Sequence, residues 1–321
     1  MLQGALNVLK VVLSLKENEN VLIVTDEKKK EIGEVFVQAA EKLGGKAKIY
    51  ILSEQRPLKE VPKELSALIP NNNVIVNAFE GFAEETPFRI KLIKAEIATK
   101  ARVGHAPGVT KEMMFGAMSA DYQKIAESVN NLIKKFENAK EVHITAPSGT
   151  DIVLNIENRA FESDVKIKSG TFGNLPAGEI WCAPVEDKAN GTIVCDGSIG
   201  DLGRVKSKLK IEVRAGKITG LESEGKALVD RVRELTSIDE EASVIGELGI
   251  GLNPKARISG ILLEDEKAGG TAHIAFGNNE NMPSGRNKSK THRDFLFHKP
   301  TFEVRYKSGD KKIIIKNGLI L

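Results

Sequence analysis

The apolar and polar positions divide the chain into two parts with different periodicities. Over residues 1–140, short apolar runs at 21–25, 48–52 and 74–77 alternate with segments whose apolar residues recur at helical spacing. The helical stripes are Ile32, Phe36, Ala39, Ala40 and Leu43; Ile90, Ile93 and Ile97; and Ile125, Val129, Leu132 and Phe136. Gly44 is placed to end the first of these helices, and Thr86-Pro87 to begin the second. This part is predicted to be an α/β domain with a mostly parallel sheet.

From residue 141 to residue 321 the pattern changes to alternating segments separated by glycine-rich turns. Antiparallel strands are predicted at 142–145, 165–168, 192–195, 208–213 and 302–306. A helix is predicted over about 225–235, and Lys307-Ser-Gly-Asp310 is typical of a hairpin turn. The second part is therefore predicted to be an α+β domain, with the domain boundary between residues 140 and 141.

Composition and charge are those of a globular protein and do not indicate a polyanionic partner. The chain has 321 residues, of which 41% are hydrophobic and 28% charged, and its net charge is +3. Aromatic residues make up only 5%, which argues against a base-stacking surface for nucleic acid. Abundant Lys and Glu with few Cys and Met are compatible with a thermophilic source.

Neither a membrane span nor a disulfide framework is predicted. Residues 2–15 have apolar positions at helical spacing around Lys10, which indicates an amphipathic helix rather than a signal peptide. No apolar run is long enough to cross a bilayer. The two cysteines, Cys182 and Cys195, are predicted to be buried thiols on either side of a connection between strands. We therefore expect a cytoplasmic protein.

A set of acids and histidines in the second part has the chemistry of a metal site. Its members are Glu179, Glu247, His273, His292 and Asp294. Three carboxylates and two imidazoles suit divalent metals of intermediate hardness. They exceed the three protein ligands that a catalytic zinc ion typically takes, so we expect a site for two metal ions.

Glu247 provides the strongest argument for this set. It stands in the apolar stretch 244–250, where an unpaired carboxylate would be costly to bury or would shift its pKa upward. A metal ion would satisfy it, and the side chain of Arg257 is the alternative partner. The same argument applies more weakly to Glu179.

The histidines are less informative on their own. His292 and Asp294 stand two residues apart, so on a strand both would project from one face towards a shared ion. For an isolated pair, a charged outer face of a surface strand is the more common explanation. His273 follows a glycine turn in an apolar segment, where a hydrogen-bonded core histidine is the commoner role.

An acidic run, Glu264 to Glu266, precedes the same glycine turn. Two of its three acids are predicted to be solvated. One is a candidate general base, because the turn would bring it near His273. Other chemistries lack their signatures: Gly246, Gly249 and Gly251 form no phosphate-binding fingerprint.

Six short motifs of the second part occur together, in this order, in one enzyme family. They are Ala146-Pro-Ser-Gly-Thr-Asp151, Leu175-Pro-Ala-Gly-Glu-Ile-Trp-Cys-Ala-Pro184, Asn190-Gly-Thr192, Gly246-Glu-Leu-Gly-Ile-Gly-Leu-Asn-Pro254, Asp265-Glu-Lys-Ala-Gly-Gly-Thr-Ala-His-Ile-Ala-Phe-Gly277 and His292-Arg-Asp294. With them the chain resembles the thermophilic aminopeptidase T (aminopeptidase S) family of metallopeptidases. The resemblance covers essentially the whole second part, and the first part fits it loosely.

The resemblance implies an aminopeptidase, commonly a dimer, that acts on short peptides with two divalent ions of zinc, cobalt, manganese or magnesium. The implied metal ligands are Glu179, Glu247, His273, His292 and Asp294. The implied general base is Glu266, which lies two residues farther from His273 than the family pattern has it. Residues 278–280 stand where the family has a tyrosine.

Two other interpretations remain open. A distant relative of the family, a dihydroxypyridine ring-cleaving dioxygenase, uses one iron ion held by two histidines and a carboxylate. His273, His292 and Asp294 would supply such a triad here. The third interpretation is a non-catalytic binding protein with a degenerate metal site.

Overall fold

The structure, a computed structural model, describes residues 1 to 321. Its α-helices are α1 (Leu2–Asn7), α2 (Lys30–Lys42), α3 (Lys63–Leu68), α4 (Thr86–Ala98), α5 (Lys111–Phe115), α6 (Tyr122–Lys135), α7 (Lys226–Leu235) and α8 (Leu262–Asp265). None of these helices is both long enough and apolar enough to cross a membrane.

The strands form three sheets. In chain order they are β1 (Asn20–Thr25), β2 (Lys46–Ile51), β3 (Val74–Ala78), β4 (Arg102–His105), β5 (Ala139–Thr145), β6 (Asp151–Asn155), β7 (Glu162–Ser163), β8 (Thr171–Asn174), β9 (Glu179–Cys182), β10 (Asn190–Cys195), β11 (Ser198–Ile199), β12 (Gly203–Arg204), β13 (Leu209–Arg214), β14 (Lys217–Glu222), β15 (Ile245–Gly251), β16 (Thr271–Gly277), β17 (His292–His298), β18 (Thr301–Tyr306), β19 (Lys311–Lys316) and β20 (Leu319–Ile320).

The first sheet is parallel throughout and has the strand order β2-β1-β3-β4-β8. Its central strands β1 and β3 are almost completely buried, as their continuous apolar runs predict for strands covered on both faces. The α/β class predicted for the first part of the chain is therefore confirmed.

Helix α2 buries the face that its apolar spacing predicts. Its buried residues include Ile32, Phe36, Ala39 and Ala40. The chain then leaves the helix at Gly44, whose φ of +80° lies in the left-handed region that glycine adopts without steric cost.

Helix α4 buries a different face from the predicted one. The expected stripe is wrong at Ile90, which is 48% exposed, whereas Ile93 and Ile97 are half-buried and Ile97 packs against the core. The buried residues are Phe88, Leu92 and Glu96. The Glu96 carboxyl accepts a hydrogen bond from Nδ2 of Asn77 in β3 at 2.9 Å. A polar residue therefore belongs to the inner face, which apolar spacing does not reveal.

The other two sheets are antiparallel. One has eight strands in the order β14-β13-β10-β6-β5-β18-β19-β20, and the other has seven in the order β12-β11-β17-β16-β15-β9-β7. They confirm the α+β class predicted for the second part.

The strand predicted at 165–168 is wrong. Val165 and Ile167 are buried, as the alternation indicates, but the Ile167 N–H donates to the carbonyl of Val12 instead of a ladder partner. The neighbouring strand is β8, which pairs in parallel with β4. Alternating burial therefore marks an irregular segment at this point.

By its internal contacts the chain forms two compact units. One contains Met1–Ala126 and Asp164–Ala177, and the other contains Glu127–Ser163 and Gly178–Leu321. The prediction of a single boundary between residues 140 and 141 differs from this division, because the segment that carries β8 returns to the parallel sheet of the first unit.

Two local predictions of the second unit are confirmed. Cys182 and Cys195 are free, buried thiols, and burial raises the pKa of Cys195 to about 12. The turn at Lys307 to Asp310 joins the antiparallel strands β18 and β19.

Candidate metal centre

Four neighbouring strands of the seven-stranded sheet carry the five predicted metal ligands. In sheet order, β17 carries His292 and Asp294, β16 carries His273, β15 carries Glu247, and β9 begins at Glu179. Residues more than a hundred positions apart in the sequence are thus brought to adjacent strands of one rigid element.

The strand register places these side chains on one face of the sheet. Glu247 pairs with Ala275, and Ala275 pairs with Asp294. Paired residues on adjacent strands point in the same direction, as do residues i and i+2 on one strand. His273 and His292 each lie two residues before a member of that row, so they share its face.

Glycines on this face make room for the ligands. Gly251 pairs with Glu179, which places that carboxylate beside the others. Gly249 pairs with His273, and a Cβ added to Gly249 would lie 1.9 Å from the Nε2 atom of His273. The imidazole therefore lies directly over Gly249. Sequence reasoning considered these glycines only for phosphate binding and missed this role.

The Glu247 carboxylate lies between the two imidazoles. Its Oε1 is 3.4 Å from His273 Nε2, and its Oε2 is 2.9 Å from His292 Nε2. Asp294 Oδ1 is 3.5 Å from His292 Nε2 and 4.0 Å from His273 Nε2. Glu179 Oε2 completes the cluster at 3.7 Å from His273 Nε2. The structure thus brings all five residues together.

Burial and mutual charge set the protonation of this cluster. Burial alone would raise the pKa of Glu247, but hydrogen bonds to His273 and His292 outweigh it and hold that pKa well below its usual range. Burial likewise disfavours charged imidazoles, yet Glu247 and Asp294 raise the pKa of both histidines, most strongly that of His292. The hydrogen-bond partners of Glu247 are therefore imidazoles and not Arg257.

His292 has the orientation of a metal-binding histidine. Its Nδ1 lies 2.7 Å from the carbonyl oxygen of Asn278, and because a carbonyl only accepts, Nδ1–H is the donor. This fixes the ring with Nε2 towards the carboxylates, which is the usual arrangement around metal-ligating histidines. His292 is also the solvent-facing member of the cluster, with 32% of its side chain exposed. Sequence reasoning missed Asn278 because it acts through its backbone.

The three acids of the run at residues 264–266 have different roles: one lies in the site, and two hold the loop beside it. The expectation that two of its acids are solvated is wrong, because Glu264 and Asp265 are both buried. Asp265 Oδ1 accepts the backbone N–H of Ser259 at 2.6 Å, and Glu264 Oε1 accepts that of Arg257 at 3.3 Å. These carboxylates fix the loop that leads into α8. Glu266, the predicted base, is the acid that joins the metal ligands.

Lys267 is the residue of the site that sequence reasoning missed. Its side chain is fully buried, and Nζ lies 2.5 Å from Glu179 Oε1 and 2.5 Å from Glu266 Oε1. Lysine is rarely buried without such partners. Burial raises the pKa of Glu266, and the positive charge of Lys267 acts against that rise. In the sequence, Lys267 follows an acidic run, a setting typical of solvated turns.

Two overlapping groups of these side chains have the spacing to hold a metal ion. One is Glu179, Glu266 and His273, and the other is Glu247, His273 and Asp294; within each group the ligand atoms lie within 4.8 Å of one another. Carboxylate oxygens and imidazole nitrogens are the donors that zinc, manganese and cobalt accept in proteins. The side chains therefore fit a divalent ion.

Comparison with known proteins assigns the family. The family model described as thermophilic metalloprotease (M29) matches residues 116–319 of the chain. The chain belongs to the M29 family. This confirms the resemblance inferred from the sequence motifs, and all residues of the cluster lie within the matched segment.

The M29 protein is also similar to a dioxygenase and to AmpT. It is 27% identical to 2,5-dihydroxypyridine 5,6-dioxygenase from Pseudomonas putida over 142 residues, which span 41% of this chain and 39% of the dioxygenase. The structure of 2,5-dihydroxypyridine dioxygenase from Pseudomonas putida KT2440 superposes with a TM-score of 0.74 at 17% identity, covering 100% of this chain and 96% of that one. AmpT from Thermus thermophilus gives a TM-score of 0.73 at 14% identity, covering 100% and 98%. At these identities the structural likeness shows a shared fold.

Proposed function

We propose that this M29 protein is a metal-dependent aminopeptidase that releases N-terminal residues from short peptides. The proposal is carried by the convergence of acids and imidazoles from four adjacent strands on one face of a sheet. Membership of the M29 family supports metallopeptidase chemistry. The restriction to the peptide terminus rests on the motif resemblance to aminopeptidase T.

The residues of the cluster have separate parts in this reaction. Glu247, His273, His292 and Asp294 would hold the metal. When bound, a divalent ion supplies a water molecule of lowered pKa and polarises the substrate carbonyl. Glu266 takes the proton of the attacking water and passes it to the leaving amine.

Glu266 has the environment of a general base. Its side chain is 13% exposed, so a substrate can reach it, and burial raises its pKa from the usual carboxyl range. A base works best when its pKa lies near the operating pH. The Lys267 Nζ, 2.5 Å from Oε1, keeps the carboxylate in one orientation.

The charge of the site suits a peptide amino terminus. The carboxylates of the site outnumber its one lysine ammonium and two imidazoles: they belong to Glu179, Glu247, Glu266 and Asp294. The exposed edge of His292 marks the side from which a peptide enters.

The variant Glu266→Gln tests this role. It keeps the size of the side chain and an acceptor for Lys267 but removes the base. We expect unchanged metal content and a fall of roughly 100-fold or more in turnover of Leu-p-nitroanilide and a dipeptide panel. The exposed acid Glu240, changed to Gln, is the matched control and keeps wild-type turnover.

The outcomes separate the interpretations. Retained turnover in Glu266→Gln would remove Glu266 from the mechanism. A wild-type protein that binds cobalt or zinc but hydrolyses no member of the panel would contradict the peptidase proposal and support a binding protein.

A ring-cleaving dioxygenase is the second candidate, favoured by the sequence match to the Pseudomonas putida dioxygenase. His273, His292 and Asp294 provide two imidazoles and a carboxylate for one iron ion. The added carboxylates of Glu179 and Glu247 favour the peptidase. Oxygen uptake by the iron-loaded protein with a dihydroxypyridine, recorded with an oxygen electrode, would support the dioxygenase instead.

A further inference from the structure

We propose that the ammonium group of Lys267 occupies the place of a second metal ion, so that the site binds one divalent ion, held by Glu247, His273, His292 and Asp294. The inference rests on the metal-dependent function proposed above. It replaces the two metal ions expected from the sequence with one metal ion and the ammonium group of Lys267.

The contacts of Lys267 place its charge between two potential metal ligands. Its Nζ lies 2.5 Å from a carboxylate oxygen of Glu179 and 2.5 Å from one of Glu266. These two acids, with His273, form one of the two groups that have the spacing of a metal site. An ion held by both carboxylates would therefore share them with the ammonium, and the two cations would repel each other at short range.

His273, which belongs to both groups, also indicates that the site binds one metal ion. His273 is a member of both metal-binding groups, and its Nε2 faces Glu179, Glu247 and Asp294 alike. A single imidazole nitrogen has one lone pair and binds one ion. Once an ion takes His273 on the side of Glu247, the other group keeps only the two carboxylates that Lys267 already pairs.

The ligands on the Glu247 side have no competing cation. His292 Nε2 lies 2.9 Å from Glu247 Oε2 and 3.5 Å from Asp294 Oδ1, and Glu247 and Asp294 form, with His273, a group that has the spacing of a metal site. A divalent ion there would displace the protons of the imidazoles, and no lysine or arginine would have to move.

The backbone keeps Lys267 in this place. Its carbonyl accepts the N–H of Asn253 at 2.8 Å, and its own N–H donates to the carbonyl of Glu264 at 3.0 Å. The following residue, Ala268, lies against Gly251, where an added Cβ would meet its carbonyl oxygen at 2.2 Å. With the loop fixed on both sides and the side chain fully buried, the ammonium has no exposed alternative position.

Metal counting tests the proposal on the intact protein. The metal-free chain is titrated with Co²⁺, monitored by absorption, and the protein loaded with Mn²⁺ is examined by electron paramagnetic resonance. We expect the Co²⁺ titration to end at one equivalent per chain and the Mn²⁺ spectrum to be that of an isolated ion. An endpoint of two equivalents with a spin-coupled Mn²⁺ pair would overturn the proposal.

Two variants locate the lysine's role. Lys267→Met removes the positive charge between the two carboxylates, so we expect the endpoint to rise from one to two equivalents. Glu179→Gln removes a partner of the lysine and should leave the endpoint at one, whereas a pair of ions would lose one of its members. Lys316→Met, an exposed change on β19, is the control and keeps the wild-type endpoint.

The results distinguish this proposal from the proposed function. If Lys267→Met does not fold, the wild-type and Glu179→Gln endpoints decide, since both keep the lysine. An endpoint that stays at one in folded Lys267→Met would contradict the role given to the ammonium. Peptide hydrolysis by a two-ion protein would overturn only the single-ion inference, and a one-ion protein inactive on every peptide would overturn only the peptidase assignment.

Discussion

The position of His273 depends on a neighbouring residue that has no side chain. Its imidazole occupies the space above Gly249, where any side chain would collide with it. Its Nδ1 atom is buried and has no hydrogen-bond partner, so the contact with Gly249 and the carboxylates near Nε2 orient the ring. Gly249 is therefore a positioning residue for the metal centre.

The variant Gly249→Ala tests this dependence. The backbone of Gly249 does not have a positive φ, so alanine fits the strand conformation, but its Cβ would lie 1.9 Å from His273 Nε2. We expect the ring to move and Co²⁺ affinity, measured by calorimetry, to fall by roughly 10-fold or more. Gly225→Ala, whose Cβ would have no neighbour closer than 3.7 Å, should bind Co²⁺ like the wild type. Equal affinities in the two variants would contradict the account.

The sequence reveals some residues of the site and conceals others for physical reasons. Glu247 is visible because a carboxylate in an apolar strand needs a partner. Lys267 is not visible, since its burial follows from a loop that folds back over Gly251, a contact without a local pattern. Asn278 contributes only a carbonyl oxygen, which every residue possesses.

At the scale of elements, α4 carries a buried acid outside the metal centre. Glu96 is fully buried on its inner face, and burial raises its pKa to about 8, with the hydrogen bond from Asn77 opposing the rise. His105, on the adjacent strand β4, shares Asn77, and burial lowers its pKa to about 3. The two groups are therefore both neutral in the folded protein at neutral pH.

This pair predicts a pH dependence of stability with a definite sign. Between about pH 4.5 and pH 8 the folded state keeps the Glu96 proton that the unfolded chain has lost, so the contribution of Glu96 to stability falls as pH rises. Below pH 6.5 the lowered pKa of His105 has the opposite effect, because there the unfolded chain binds the proton that the folded state excludes. From pH 6.5 to 8 the Glu96 effect dominates, and the net loss is about 1 kcal/mol. Glu96→Gln should remove this slope in chemical denaturation at the two pH values.

The exposed acid Glu34 on α2, changed to Gln, should keep the wild-type slope. A slope that persists in Glu96→Gln would show that Glu96 does not hold a proton in the folded state.

The elements that the sequence predicts well are those in which burial and hydrophobicity coincide. Strand β1 and helix α2 are buried by apolar residues, and both are found where the pattern places them. The predicted face of α4 fails because Glu96 belongs to the buried side, and the strand at 165–168 fails because its backbone bonds to Val12. Periodicity reports burial and does not report hydrogen-bond partners.

At the scale of the whole molecule, the fold leaves the reaction undecided. Comparable superpositions onto a dihydroxypyridine dioxygenase and onto AmpT show a shared fold, and a fold alone does not determine a reaction. The distinction lies in the side chains that the seven-stranded sheet projects from one face. In this chain they are rich in carboxylates, and the buried Lys267 of the loop between α8 and β16 joins them.

The most direct test of the account is the anomalous difference map of crystals grown with Co²⁺, recorded at the cobalt absorption edge. We expect a peak about 2.0–2.2 Å from the donor atoms of Glu247, His273, His292 and Asp294. A further peak between Glu179 and His273 would contradict only the single-ion inference. Cobalt bound elsewhere, with these donors too far apart to share an ion, would contradict the metal centre itself.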